Sequence, residues 1–149
     1  MRRFDSKLPD IGTTIFTVIS RQAQQLGALN IGQGFPDYPI DSALAAALTD
    51  AVAAGHHQYA PMEGVLALRE RIAAKLQRDY AIGVDPVQEI TITCGGTEAL
   101  FSCIQAIVGP GDEAVIFDPA YDSYEPAVRL AGGRCIRIPM QPPAFAYDW

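Results

Sequence analysis

The chain has 149 residues, 49% of them hydrophobic and 19% charged, with a formal net charge of −6. That length allows one domain able to bury roughly 70% of its unfolded surface, and the acidic balance argues against nucleic acid or an anionic membrane as the main partner. No apolar run approaches the ~18 residues of a membrane span, and MRRFDSKLPD at the start has arginines but no apolar stretch behind them, so it does not read as a signal peptide.

Residues 13 to 26 carry Ile15, Phe16, Ile19, Ala23 and Leu26 at helical spacing, with Gly27 as a stop. Ala28 to Ile31 reads as a short extended piece, and GQGFPDYP after it is too rich in Gly and Pro to be regular. Asp41 is placed to cap a second helix, SALAAALTDAVAAG, which ends at Gly55. A third helix runs from about Val65 to Ala81 with Leu68, Ile72, Leu76 and Tyr80 on one face, solvated Arg69, Arg71, Lys75, Arg78 and Asp79 on the others, and Gly83 beyond. From Glu89 onward the pattern alternates: strand 90–93, helix 97–108, a GPGD turn, strand 114–117, helix 122–131 and strand 134–138. Alternation of this kind predicts an α/β fold with a parallel sheet flanked by helices.

Cys94, Cys103 and Cys135 are odd in number, lack metal-ligand spacing and sit among apolar neighbours, so they read as reduced core thiols of a cytoplasmic protein. The only histidines, His56 and His57, are adjacent and diverge, and no metal site is expected.

The chemistry concentrates where ITIT meets CGGTEALF. Bare backbone between a strand and a helix is a common anion receptor, because first-turn amides lack partners and the helix dipole favours negative charge. A P-loop would need Lys-Ser/Thr after its glycines, and the dinucleotide fingerprint would need a different glycine spacing. Gly95, Gly96 and the Thr97 hydroxyl instead suit a single phosphate monoester, or else form a tight turn that binds nothing. Tyr121, in DPAYD after the next strand, emerges at the same edge and is either a ring platform or a tyrosine tucked under a helix. Tyr59 stands in a loop before the third helix, free to reach a phosphate or packed on its own domain.

IGQGFPDYP, HQYAPMEGVLALRERIA, ITITCGGTEALF and VIFDPAYDSYEPAVRLAGG together resemble, in order and over nearly the whole chain, the N-terminal motifs of class I/II pyridoxal-phosphate (PLP) aminotransferases, nearest the methionine- and kynurenine-type branch. The resemblance implies a fold-type I architecture, a three-layer large domain with a mostly parallel sheet, incomplete here. Residues 1–40 would be an N-terminal helix and substrate-side loop of the small domain, and 41–149 the PLP-binding domain. It further implies that Gly95, Gly96 and Thr97 hold the PLP phosphate and Tyr121 stacks on the pyridine ring. Tyr59 would cross a homodimer interface to the neighbour's phosphate, and Gly34 would lie against the substrate carboxylate. The partners implied are an amino acid and a 2-oxo acid.

The family's covalent chemistry needs a lysine. The only lysines, Lys7 and Lys75, follow no strand end near the glycines, so no catalytic residue is expected within the chain itself. The expectation is therefore an N-terminal portion of an aminotransferase, inactive alone. The alternatives are a C–S β-lyase of the same fold and a non-catalytic remnant or binding module.

Overall fold

A computed structural model describes residues 5–34 and 36–147. The arginine pair at 2–3, Phe35, Asp148 and Trp149 lie outside the described residues. The elements follow in order as α1 (Ile15–Leu26), α2 (Ser42–Ala53), α3 (Leu66–Tyr80), α4 (Gly96–Ile107), β1 (Glu113–Asp118), α5 (Tyr124–Leu130) and β2 (Arg134–Pro139). They fall into two compact units, one of residues 1–33 with 94–149 and the other of residues 34–93.

The first unit is built on β1 and β2, which pair in parallel from Glu113↔Arg134 to Asp118↔Pro139. Parallel neighbours need a crossover, and α5 supplies it. Its Ala127 and Val128, with Ile116 of β1, are the buried apolar residues among those described. Gln105 of α4 donates Nε2 to the Ala127 carbonyl at 2.8 Å and ties that helix to the crossover. β1 buries Ile116 while Val115 and Phe117, on its other face, stay open. α1 begins at Thr14, whose hydroxyl accepts from the Thr17 amide, and ends at Gly27.

In the second unit Asp41 caps α2 as its position predicts, its Oδ1 accepting from the Ala43 amide at 2.8 Å. α3 closes at Ala81 in a left-handed turn, two residues before Gly83. There the Ala81 and Ile82 amides return to the carbonyls of Gln77 and Leu76 and satisfy the helix end.

Three expectations need correction. Residues 90–93 are extended but form no ladder, because a strand exists only through a paired neighbour. Ile92 instead donates its amide to the Glu63 carbonyl at 3.0 Å. Arg69 is not solvated: it is 7% exposed and its Nη1 donates to the Pro86 and Val87 carbonyls at 2.9 and 3.1 Å. A buried guanidinium is tolerable when carbonyl acceptors meet it, and the loop after α3 folds back to provide them. The cysteines are not core residues either. Cys94 and Cys103 are exposed and Cys135 is half-buried, because the small core lies around Ile116 and Val128 rather than around them.

Candidate functional site

The loop after β1 and the first turn of α4 meet in the first unit, through Tyr121 and Thr97. Gly95 is the N-cap of α4, with φ 86° and ψ 169°, a backbone region that side-chain-bearing L-residues rarely enter. No side chain caps the helix, and Glu98 of its first turn reaches back to accept from the Cys94 amide. That leaves the first-turn amides of Gly96 and Thr97, which no helical carbonyl can reach, facing outward at the positive end of the helix dipole. A Cβ built on Gly96 would meet nothing within 4 Å, so the space beside this residue is open.

Across from them, the Thr97 hydroxyl and the Tyr121 phenol lie 3.2 Å apart, within hydrogen-bond distance. The structure thus brings together Gly95, Gly96, Thr97 and Tyr121. Gly34 and Tyr59 belong to the second unit, where Gly34 has open space around its Cα and Tyr59 is fully exposed in its loop. The Tyr121 ring is 43% exposed and has Phe16 of α1 at 6.5 Å and Tyr124 at 5.7 Å, the latter edge-on. A half-open aromatic ring thus stands beside the first turn of α4.

Beside this corner opens a cleft of about 550 Å³, walled by residues 10–15 on one side and by Thr97, Ile116, Tyr121, Ser123 and Arg137 on the other. Its rim is strongly ionic. Arg137 of β2 donates Nη1 to Asp118 at 2.6 Å and also pairs with Glu125. The Asp118 and Glu125 carboxylates hold its guanidinium further above the usual range. Arg129 grips Asp10 with both terminal nitrogens, at 2.8 and 2.6 Å, and so fastens the start of the 10–15 wall to α5.

The Arg129 hydrogen bonds hold the Asp10 carboxyl below its ordinary value. A carboxyl depressed by folding contributes stability above its unfolded value, about pH 4, and loses it as pH falls through the folded one. Segment 10–15 should therefore loosen selectively in acid, below about pH 4. Amide exchange of residues 10–15, followed against pH, should show this release in the native protein, while Asp10→Asn should be equally loose at neutral pH. Identical exchange in both proteins at pH 7 would count against the clamp.

Phe16, Glu125, Arg129 and Arg137 escape a linear reading. Only the i,i+4 spacing of Glu125 and Arg129 signals anything locally. Among the described residues no helix is long and apolar enough to cross a membrane.

The sequence profile described as "Aminotransferase class I and II" matches residues 27–149. A methionine aminotransferase of Escherichia coli is 53% identical over 144 residues, which are 97% of this chain and 37% of that protein. A probable N-succinyldiaminopimelate aminotransferase of Mycobacterium tuberculosis is 39% identical over 145 residues, 96% of this chain and 36% of that protein. A solved structure from Escherichia coli, described with a methionine aminotransferase function, superposes with a TM-score of 0.92 at 51% identity, covering 100% of this chain and 39% of its own. The chain thus spans well under half the length of the relatives it matches.

Proposed function

Because the chain belongs to the class I and II aminotransferases, we propose that the complete protein carrying it is a PLP-dependent aminotransferase that moves an amino group from an amino acid to a 2-oxo acid. The observation that carries this reading is the open amide cup of Gly96 and Thr97 with the Thr97 hydroxyl against the Tyr121 phenol. These residues fit PLP: two amides and a hydroxyl for the phosphate, an aromatic face for the ring. When bound, the cofactor supplies an electron sink that makes the α-proton of an amino acid removable.

The residues of this chain would do the holding. The Gly96 and Thr97 amides and the Thr97 hydroxyl would neutralise the phosphate, with Gly95 setting the turn that aims them. The Tyr121 phenol, through its hydrogen bond to Thr97, fixes the ring beside which the pyridine would lie. Gly34 would offer backbone to the substrate carboxylate, and Tyr59 would serve the phosphate of a second subunit in a homodimer. Residues 1–40 would belong to the smaller domain and 41–149 to the cofactor domain. Phe16 beside Tyr121 is an apolar wall that suits methionine-like or aromatic substrates. An odd number of cysteines without metal-ligand spacing supports a cytoplasmic setting.

Thr97→Val tests this at one atom. It keeps the volume and removes the hydroxyl, a charge-assisted hydrogen bond of about 1.5–3 kcal/mol. In the complete protein the PLP dissociation constant should rise by roughly tenfold to a hundredfold, with little change in the melting temperature of the apo form. Unchanged PLP affinity would remove the cup from the reading.

A further inference from the structure

Five charged side chains around the cleft make one connected path. Asp10 accepts both terminal nitrogens of Arg129. Arg129 stands 3.7 Å from Oε1 of Glu125, and Oε2 of the same carboxylate accepts from Nε of Arg137 at 3.1 Å. Arg137 then donates to Asp118 at 2.6 Å. The two ends of this path are the two sides of the cleft. Asp10 heads the 10–15 wall, and Asp118 begins the loop that carries Tyr121. Glu125 is the centre, with each of its oxygens committed to a different arginine and its side chain 26% exposed.

We propose that Glu125 is a positioning residue that couples the N-terminal wall of the cleft to the Tyr121 loop, so that the wall closes and the ring is set as one cooperative event. An isolated exposed ion pair contributes little, but bidentate geometry and several charges in one network escape that rule. Once Arg137 is fixed by Asp118 and Arg129 by Asp10, the Glu125 carboxylate loses little further freedom in joining them. Neither the wall nor the loop has another ionic tether to the other among the described residues. Glutamine at 125 would keep the size but turn an NH2 group toward one guanidinium, donor against donor.

The proposal rests on Tyr121 as the residue facing the cofactor ring, and its test separates the two. In the complete PLP-loaded protein, amide exchange would be followed for residues 10–15 and 119–124 in Glu125→Gln, Asp10→Asn and Tyr121→Leu, with α4 as an internal control. Glu125→Gln should speed exchange in both segments by roughly threefold to fivefold, and Asp10→Asn should loosen its own segment and, through Glu125, the Tyr121 loop as well. The circular dichroism of the cofactor band should shift in Glu125→Gln in the direction set by Tyr121→Leu. If Asp10→Asn loosens 10–15 while 119–124 stays unchanged, the coupling is overturned. It is overturned equally if Tyr121→Leu alters the cofactor band and Glu125→Gln does not. If Tyr121→Leu itself leaves the band untouched, the ring-facing role fails, and the exchange data still decide on Glu125.

Discussion

Gly96→Val in the complete protein should weaken PLP binding by roughly 10²–10⁴-fold while leaving the apo melting temperature nearly unchanged. The size follows from what the branched side chain displaces. A Cβ at residue 96 enters empty space, so the native fold has no atom to clash with it. It would crowd the space a phosphate needs at the first turn of α4, at the expense of up to two charge-assisted hydrogen bonds, each worth about 1.5–3 kcal/mol. Valine is a slightly better helix former than glycine, so the change at this first-turn position carries no propensity cost for α4. Gly95→Ala is the contrasting control, because φ 86° at that residue makes any side chain strained. It should lower apo stability by about 1–2 kcal/mol as well as PLP affinity. The adjacent glycines therefore separate two reasons for glycine: the backbone at 95 and the open approach at 96. Equal losses of PLP affinity and apo melting temperature in Gly96→Val would show that the turn needs glycine only for its own conformation.

The second large effect is an absence of turnover. The 149-residue chain mixed with PLP, reduced with borohydride and analysed by mass spectrometry should show no stoichiometric lysine adduct. It should transfer no amino group from methionine, phenylalanine or kynurenine to a 2-oxo acid. A covalent cofactor lysine must sit a ring's length from the phosphate cup, in surroundings that keep its amine reactive. Lys7 and Lys75 are both exposed, Lys7 in the N-terminal segment and Lys75 on α3. Neither is among the residues of the cleft beside Thr97 and Tyr121. The motifs present hold a phosphate and flank a ring; the group that would exchange protons with substrate is not among them. Full labelling at one of these lysines, together with turnover lost on its change to alanine, would refute this.

What could be read from the chain itself follows from how local each signal is. α1, α2 and α3 announce themselves because apolar spacing and their end signals, such as Asp41 and Gly27, lie within one helix. β1 and β2 were legible as alternating strands bounded by turns. ITIT at 90–93 carries the same β-branched composition, yet pairing needs a neighbour that composition cannot specify. Gly95, Gly96, Thr97 and Tyr121 stood out by residue type, but the hydrogen bond between the Thr97 and Tyr121 hydroxyls joins positions 24 apart and depends on how α4 packs on α5. The Asp10–Arg129 clamp spans 119 positions and has no local trace at all. Arg69 misled for the opposite reason: a charged helical residue usually faces water, and only the returning loop at Pro86 and Val87 changes that.

The β1–α5–β2 crossover has a consequence in time. Glu113–Pro139 is one uninterrupted stretch, and it holds every buried apolar side chain found among the described residues. Its strands pair across a separation of 21 positions, as at Glu113 and Arg134. The contacts of α3 are shorter still, but an isolated helix of its length is marginal in water and buries no apolar residue of its own, whereas this stretch carries its packing within itself. The hypothesis is that this stretch is the first to acquire protection during refolding, ahead of α3. Pulse-labelled exchange should find the amides of Ile116 and Ile136 protected before those of Ile72 and Leu76. The reverse order would overturn it. If the order holds, Asp118 and Arg137 meet early, and the end of the cleft that carries Tyr121 is laid down before its N-terminal wall arrives.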